Sequence, residues 1–321
     1  MSAEDFVMSS KVLGKGAFGV VYEGVQRVTN IPVAIKVIPK EKADFKLLSR
    51  EIGIIKRCDH ENIIKFYACY EDATSVHIVT ELARGGELFD HIIKRKRYSE
   101  EDARAIIKQV VAALCYLHQN KVAHLDLKPE NLLLKEVPEN YDQQTSKFVP
   151  CVKVADFGTS VVFRGKTERA AVGTPGYVAP EVLQQKEYTT QPDIYALGVI
   201  TYVLLAGHLP FDDSDLKKML KQQVRGQWEF SKRFDKVSEN AKDFIKKCMG
   251  LDYEARPTAV VLLKHPWIQQ GQITEVDLVE STADLRKYIA SMRLKAGFQA
   301  VAVAMRLANM EKYLKEIEDE K

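Results

Sequence analysis

The sequence predicts an α+β protein of two lobes, a small β-rich N-terminal lobe and a larger helical C-terminal lobe, followed by a helical C-terminal tail. Residues 7–82 contain β-branched runs broken by glycine or polar turns, which is typical of short antiparallel strands. After Gly85-Gly86, apolar residues recur at helical spacing as far as about residue 270. The length of 321 residues suits two domains of ordinary size. We therefore expect one site between the two lobes.

The N-terminal lobe is expected to be an antiparallel sheet with one helix. The predicted strands cover residues 7–13, 20–25, 33–38, 63–69 and 76–82. The helix between the third and fourth strands is predicted by a stripe at helical spacing: Phe45, Leu48, Ile52 and Ile55. Glu51 lies on the edge of this stripe, so its carboxylate is expected to face inward.

The C-terminal lobe carries three local signals. Ser99 and Asp102 form a capping-box pattern before a helical segment at 103–118. Residues 194–206 are continuously apolar but too short to span a bilayer, which predicts a buried core helix. Residues 136–150 are polar and non-periodic, which predicts a surface insertion between two short strands.

Composition argues against several classes of function. The net charge of +3, from 47 basic and 44 acidic residues, is too balanced for a nucleic-acid or membrane-surface footprint. The 5 cysteines form no CxxC pair and the 7 histidines show no ligand spacing, as expected for reduced thiols in the cytoplasm, with nuclear entry left open. The first residues carry neither a secretory apolar run nor the glycine that myristoylation requires. We expect no membrane insertion.

A glycine-rich segment lies between the first two predicted strands. It reads Gly14-Lys15-Gly16-Ala17-Phe18-Gly19, and its glycines allow backbone N–H groups to approach phosphate oxygens. A dinucleotide-binding loop of this kind needs a helix directly afterwards, whereas Val20-Val21-Tyr22 favours a strand. The segment is therefore not a dinucleotide fingerprint.

Four further motifs follow in a fixed order. They are Val33-Ala34-Ile35-Lys36, with Glu51 as the acid best placed to reach Lys36; His124-Leu125-Asp126-Leu127-Lys128-Pro129-Glu130-Asn131; Asp156-Phe157-Gly158; and Ala179-Pro180-Glu181. With one departure, at Leu125, this series resembles the signature of eukaryotic protein kinases. The resemblance covers residues 6–268 and predicts the bilobal kinase fold, with an N-lobe at 6–82 and a C-lobe at 86–268.

The resemblance implies ATP and Mg²⁺ as cofactors. Phosphoryl transfer depends mostly on alignment and on neutralising charge at the γ-phosphoryl group. The implied catalytic residues are Asp126, which accepts the substrate hydroxyl's proton, Lys128 near the γ-phosphate, and the Lys36–Glu51 pair on the α- and β-phosphates. Asn131 and Asp156 are implied as the Mg²⁺ ligands, because both offer hard oxygen donors.

The implied ATP pocket includes the glycine-rich loop, the walls of the adenine slot and a hinge at 81–83 with Thr80 as gatekeeper. Its members are Leu13, Gly14, Lys15, Gly16, Ala17, Phe18, Gly19, Val20, Val21, Ala34, Lys36, Thr80, Glu81, Ala83 and Glu87. The resemblance also implies a structural ion pair between Glu181 and Arg256, and anchoring of the catalytic loop by Asp193.

Further motifs resemble the calcium/calmodulin-dependent kinase group. They are Gly85-Gly86-Glu87-Leu88-Phe89, Lys128-Pro129-Glu130-Asn131 and the segment from Gly173 to Glu181. Lys128 and Thr174 favour a Ser/Thr enzyme over a tyrosine kinase. The peptide groove is expected to use Glu87, Asp90, Glu130 and Thr174, which favours substrates with a basic residue before the acceptor. A merely solvated acidic face is the alternative.

Activation without loop phosphorylation is a hypothesis that rests on two positions. Most kinases carry Arg where this chain has Leu125, and that Arg pairs with a phosphorylated activation loop. Ala170 stands where kinases similar to calmodulin-dependent kinase I carry their activating Thr. We therefore expect no activating phosphate here, as in myosin light chain kinase and death-associated kinase.

The C-terminal tail is divided into a predicted autoinhibitory and calmodulin-binding segment at 269–310 and an acidic end at 311–321. Residues 286–310 hold basic residues and no acid, which is typical of a helix that binds calcium-loaded calmodulin. The candidate contacts are Arg293, Leu294, Lys295, Phe298 and Leu307. Ser281 falls at the autophosphorylation position of calmodulin-dependent kinase II, but Leu278 replaces the Arg that a self-site needs.

Three alternatives stay open at the level of sequence. The tail helix is, in the simplest case, an extra helix packed on the large lobe, and this is compatible with autoinhibition. The tail also suits docking to a partner other than calmodulin. A pseudokinase that only binds its protein partners is disfavoured because Lys36, Asp126 and Asp156 are all present.

Overall fold

The computed structural model describes residues 2–16, 19–95, 98–137, 150–163, 165, 167–269 and 278–299, with the side chains of 279 and 294–299 excluded. The N-terminal lobe is an antiparallel sheet of 5 strands in the order β1-β2-β3-β5-β4. Their bounds are β1 Phe6–Lys15, β2 Val20–Gln26, β3 Pro32–Pro39, β4 Phe66–Glu71 and β5 Ser75–Glu81. All of the predicted strands are present.

The fourth strand begins later than the sequence pattern predicted. Residues 63–65 precede β4, because Ile63 forms a parallel bridge with Val154 and the Ile64 amide donates to the Val154 carbonyl at 2.9 Å. The apolar run thus crosses from one lobe to the other before it enters the sheet. Strand periodicity alone does not distinguish these two partners.

The helix of the N-terminal lobe, α1, spans Phe45–Ile55 and is capped by Asp44, whose side chain accepts from the amides of Lys46 and Leu47. Leu48 and Ile55 are buried, as the stripe predicted. Phe45 was wrongly included in the buried stripe, since 53% of it is exposed. Because it begins the helix, its side chain has no preceding helical turn to pack against.

The C-terminal lobe is helical around one buried helix. Nearly every residue of helix α5, Gln191–Ala206, is buried, which confirms the core helix predicted at 194–206. Helix α3 begins at Glu100, and its capping box is formed by Ser99 and Asp102 as predicted. The helices of this lobe are α2 Leu88–Ile92, α3 Glu100–Gln119, α4 Pro180–Leu183, α5 Gln191–Ala206, α6 Leu216–Arg225, α7 Glu239–Cys248, α8 Ala259–Leu263 and α9 Pro266–Gln269.

Short strands join the lobes at the cleft. β6 Gly86–Glu87, β8 Leu132–Leu134 and β9 Val152–Val154 form a 3-stranded sheet, and β7 Val122–Ala123 pairs with β10 Val161–Val162. The predicted insertion at 136–150 does lie between two short strands, β8 and β9. Residues 138–149 of it lie outside the described residues.

The tail helix α10, Val279–Gln299, packs on the C-terminal lobe. Leu285, Tyr288 and Ile289 belong to the same apolar core as α5. The packing is close: a Cβ on Gly207, whose φ is +81°, would lie 2.1 Å from the Ser281 carbonyl oxygen. Within the described part of the chain, no helix is both long and apolar enough to cross a membrane.

Candidate active site

Lys36 on β3 and Glu51 on α1 form the first part of the site. The Lys36 ammonium donates to Glu51 Oε1 at 3.0 Å and lies 3.9 Å from Asp156 Oδ1. Burial lowers the pKa of Lys36, but the neighbouring carboxylates of Glu51 and Asp156 outweigh it and leave the pKa above its ordinary value. The sheet and the helix therefore hold a permanently charged cation at the cleft.

The catalytic loop between β7 and the 3₁₀ turn Pro129–Asn131 is fixed from below by Asp193. The buried Asp193 carboxylate accepts from the amides of His124 and Leu125, both at 2.8 Å. Leu125 adopts a left-handed φ of 67°, which is strained for a leucine. The predicted anchor is confirmed, because these two bonds hold a turn that the chain would otherwise avoid.

The Asp193 side chain also contacts His118 Nε2 at 2.9 Å. Burial raises the pKa of Asp193, but the hydrogen bond and charge of His118, with His124 and the Leu125 amide, outweigh burial and lower it overall. The anchor is thus a carboxylate throughout the neutral range. His118 was not predicted, since no spacing rule joins α3 to α5.

Asp126, Lys128 and Thr174 form a closed group of hydrogen bonds. Lys128 Nζ donates to Asp126 Oδ2 at 2.7 Å and to Thr174 Oγ1 at 3.0 Å. The Thr174 hydroxyl donates to Asp126 Oδ1 at 2.6 Å. Asp126 is therefore aligned to accept a hydroxyl proton, and Lys128 supplies positive charge beside it.

The donor set suits Mg²⁺. The side-chain amide nitrogen of Asn131 donates to the Asp126 carbonyl at 2.8 Å. The side-chain oxygen of Asn131 is therefore the atom that can bind a cation. Asp156 supplies a carboxylate from a left-handed backbone with φ 63°. Among the described residues, no group of three or more His, Cys, Asp or Glu side chains is arranged so that it could hold a metal ion by itself. A mixed set of one carboxylate and one amide, completed by phosphate and water, is what Mg²⁺ accepts.

Asp156 is held in its charged form. Burial raises its pKa, but Lys36, His124 and Lys128 outweigh burial and place the pKa below its ordinary value. The phosphate oxygens of ATP need Mg²⁺ to neutralise their charge. Asn131 and Asp156 would hold the Mg²⁺, Lys36 would bind the α- and β-phosphates, and MgATP would supply the phosphoryl group that is transferred.

The glycine-rich turn leaves room for phosphates. A Cβ on Gly14 would meet no atom within 4 Å, and one on Gly16 would meet only the Gly19 carbonyl oxygen at 3.8 Å. Gly19 has a different reason to be glycine, because a Cβ there would lie 2.1 Å from the Val37 carbonyl oxygen on β3. Ala17 and Phe18 lie outside the described residues.

The walls of the adenine slot come from strands that pair in register. Val21 lies opposite Lys36, and Ala34 lies opposite Thr80. Leu13, Lys15 and Val20 lie on the strand ends that flank the turn. These placements are compatible with the predicted pocket, and the binding of ATP by its members stays a prediction.

The hinge is stabilised by a residue that the sequence did not single out. The Glu81 carboxylate pairs with buried Lys153 at 2.8 Å, and the Glu81 amide donates to Lys65. The Ala83 carbonyl accepts from Gly86. The contact of the hinge carbonyl and amide groups with an adenine edge stays a prediction.

The comparisons with known proteins agree with this geometry. Residues 7–268 match the model of the protein kinase domain. The chain belongs to the protein kinase family. The predicted ion pair between Glu181 and Arg256 is formed as well, by two hydrogen bonds of 2.5 and 2.8 Å in the C-lobe of this kinase.

The kinase resembles calcium/calmodulin-dependent enzymes. It is 38% identical over 308 residues to calcium/calmodulin-dependent protein kinase type IV of Mus musculus, covering 95% of this chain and 64% of that protein. It is 39% identical over 307 residues to the type 1 enzyme of Macrobrachium nipponense, covering 94% and 86%. A probable myosin light chain kinase of Dictyostelium discoideum is 40% identical over 273 residues, covering 84% and 68%. The predicted resemblance to this group of Ser/Thr kinases is confirmed.

Glu87, Asp90 and Glu130 form an acidic rim at the cleft of the kinase, and the tail contacts this rim. The Arg293 guanidinium donates to Glu87 Oε2 at 2.9 Å and to Asp90 Oδ2 at 2.7 Å. Glu87 was predicted both for ATP and for peptide, and here its carboxylate faces the tail. Leu294, Lys295 and Phe298 lie outside the residues with described side chains, and Leu307 lies outside the described residues altogether.

Glu130 is the third acid of the rim. Burial raises its pKa above the ordinary value for glutamate. Its Oε2 atom is buried without a hydrogen-bond partner among the described residues. A buried carboxylate oxygen of this kind favours a cation from outside the fold.

A second contact between tail and cleft was missed. The hydroxyls of Tyr288 on α10 and Tyr177 in the loop before α4 lie 2.6 Å apart, and both side chains are nearly fully buried. The pairing joins residues 111 positions apart, so no short-range pattern announces it. The tail therefore touches both the acidic rim and the loop that follows Thr174.

Proposed function

We propose that this kinase transfers the γ-phosphoryl group of ATP to Ser or Thr in proteins with a basic residue before the acceptor. Its tail inhibits it until calcium-loaded calmodulin binds, and no activation-loop phosphate is needed. The observation that carries the proposal is the Arg293 contact with Glu87 and Asp90, made while Lys36, Glu51 and the Asp126 group are already aligned.

The catalytic part of the proposal rests on charge placement. Asp126 already accepts a hydroxyl hydrogen bond from Thr174, so a substrate hydroxyl can take the same position on this carboxylate. Lys128 remains protonated because, although burial lowers its pKa, the charge of Asp126 outweighs burial and raises it. The cation stabilises negative charge that develops during transfer.

Substrate preference follows from the acidic rim. Glu87 and Asp90 bind a guanidinium at hydrogen-bonding distance, and Glu130 has a buried oxygen without a partner in the described structure. Charge-assisted bonds of this kind favour Arg over neutral side chains. A substrate with a basic residue before its Ser or Thr would therefore compete with Arg293 for the same acids.

Calmodulin is the proposed partner of the tail. Two observations support a detachable segment: Arg293 makes ion pairs that are about half exposed, and the basic run of residues 286–310 suits calmodulin's acidic, apolar grooves. The relatives named as calcium/calmodulin-dependent kinases point the same way. Ser281 is 3% exposed in this arrangement, so its phosphorylation would require the tail to leave. A cytoplasmic location stays part of the proposal.

The test measures phosphate incorporation into a basic Ser peptide with Mg²⁺-ATP, in calcium-calmodulin and in chelator. Asp126→Asn is the blank, and the chain is checked by mass for the absence of phosphate. Activity only with calcium-calmodulin supports the whole proposal. Equal activity in both conditions removes calmodulin control and favours a tail that docks another partner, and a signal no greater than the blank in either condition removes the catalytic proposal.

A further inference from the structure

The activation loop is attached on one side to the segment after α4. The amides of Glu168 and Tyr188 each donate to the other's carbonyl at 3.0 Å, forming an antiparallel bridge. The Tyr188 hydroxyl donates to the Ala170 carbonyl at 2.7 Å. Only 1% of Tyr188 is exposed, so the donor side of this bond is buried, while Ala170 lies at the surface. The loop is thus held by one buried side chain and one backbone bridge.

Surface charges complete this attachment. Arg169 pairs with Glu187, and the Thr167 hydroxyl also hydrogen-bonds to Glu187. The Arg169 bond, the Thr167 bond and the Arg169 charge lower the pKa of Glu187, which keeps it anionic. A phosphate on Thr167 would lie beside the Glu187 carboxylate and would have to displace it from Arg169. In the unphosphorylated loop, Glu187 already makes this attachment.

The other side of the loop lies on the catalytic loop. Leu125 is 7% exposed and lines a small apolar pocket together with Val172, Val178 and Ala196. Gly173, with φ +109°, passes so close that a Cβ would lie 2.9 Å from the Leu125 carbonyl oxygen. An apolar contact therefore occupies the position where the sequence lacks an arginine.

The two attachments lead directly to the reacting group. Thr174 follows Gly173 and donates to Asp126, while Lys128 donates to Thr174. Residues 168–174 are consequently fixed at one end by Tyr188 and at the other by the apolar pocket and Asp126.

We infer that Tyr188 is a positioning residue for peptide phosphorylation. Its hydroxyl, together with the Leu125 pocket, does what a phosphate-arginine pair does in phosphorylated kinases: it holds the activation loop so that Thr174 and Asp126 stay aligned. The inference rests on the proposed function, since it explains how the unphosphorylated loop is ordered.

The experiment compares Tyr188→Phe with the full-length wild type, both shown by mass to be unphosphorylated. Phenylalanine keeps the buried ring and removes only the bond to Ala170. Tyr202→Phe is the matched control. Tyr202 lies on α5 in the same lobe, is 1% exposed, and its hydroxyl donates to the Glu229 carbonyl at 3.0 Å. Both variants are measured for thermal unfolding, peptide and ATP kinetics, and trypsin cleavage after Arg169.

We expect Tyr188→Phe to lower kcat/KM for the peptide about fivefold, the effect of one neutral hydrogen bond, and to leave KM for ATP unchanged. Cleavage after Arg169 should accelerate, and Thr167→Glu should give no gain in activity. Tyr202→Phe should match the wild type in peptide kinetics and cleavage even where both variants melt slightly earlier.

Equal peptide kinetics and cleavage in Tyr188→Phe and wild type would overturn the inference, and so would parallel losses in both tyrosine variants. These results leave the proposed function intact as long as the unphosphorylated wild type is active. An inactive wild type that gains activity on Thr167 phosphorylation would instead remove phosphate independence from the proposed function.

Discussion

Two ion pairs of arginine with glutamate differ greatly in burial. Arg256 and Glu181 lie within the C-terminal lobe with 0% and 1% of their side chains exposed. Arg293 and Glu87 lie at the rim of the cleft with 50% and 37% exposed. Similar chemistry is therefore used in a nearly water-free environment and in a largely hydrated one.

The difference in burial suits the two ion pairs to different roles, one in holding the fold together and one in regulation. Breaking a buried pair leaves an uncompensated charge without water, which costs several kcal/mol. Breaking an exposed pair returns both partners to water, so such a pair contributes at most about 1 kcal/mol. An ion pair of the second kind can be released by a partner at little cost. Arg293 meets this condition and Arg256 does not.

The largest effect is expected for Arg256→Ala. The change leaves Glu181 buried without its partner, so we expect the free energy of unfolding to fall by about 3–5 kcal/mol. Urea denaturation of the full chain measures it. The double variant Arg256→Met with Glu181→Met removes both charges and should recover much of the loss. A single variant within 1 kcal/mol of wild type would contradict the assigned role of this pair.

Asp193→Asn should give the next largest effect. The amide keeps the size but weakens the bonds to the His124 and Leu125 amides, so we expect a stability loss of about 1–3 kcal/mol at pH 7. Because the folded pKa of Asp193 is lowered, its contribution is fully present above 3.8, the ordinary aspartate pKa, and is lost as the pH falls through the folded value.

Denaturation from pH 7 to pH 2 measures this dependence. The gap between wild type and Asp193→Asn should be constant down to about pH 4 and should close at lower pH, following the linkage above. Asp235→Asn, an exposed position, should show a much smaller gap throughout. A gap that widened below about pH 4 would reverse the sign and contradict the charged anchor.

Contacts between residues close in the sequence were predicted well. Asp126, Lys128 and Asn131 stand within one short loop, and the resemblance of that loop to the protein-kinase signature carried their prediction. The capping box of Ser99 and Asp102 is equally local. Signals of this kind depend on backbone geometry over a few residues, which sequence patterns report well.

Long-range contacts were not predictable in the same way. Arg293 is 206 residues from Glu87, and Tyr288 is 111 residues from Tyr177. Their pairing depends on how α10 lies on the folded lobe. Phe45 failed for a related reason: helical spacing placed it on the correct face, but nothing in the spacing says where the packed surface ends.

Arg293→Ala sharpens the comparison at the exposed pair. We expect stability to change by less than about 1 kcal/mol, and activity in chelator to rise by up to about fivefold, because a contact of this size controls the tail's occupancy of the rim. Thermal unfolding and peptide phosphorylation measure the two quantities. Lys287→Ala, on the same helix and 83% exposed, is the control and should change neither. Unchanged activity in Arg293→Ala would show that this contact does not restrain the kinase.

The smallest effect is expected from salt. The pair of Arg293 with Glu87 and Asp90 is largely hydrated, so raising the ionic strength from about 0.05 to about 0.5 M should screen it, whereas the Arg256 pair should be unaffected. Salt also weakens the binding of a basic peptide. The informative quantity is therefore the ratio of Arg293→Ala to wild-type activity in chelator, measured at each ionic strength with the same peptide. That ratio should fall toward one as salt rises, because the wild type loses the restraint that the variant already lacks. A ratio independent of salt would mean that apolar contacts such as those of Tyr288 and Ile289 hold the tail, and that the exposed ion pair follows their placement without contributing to it.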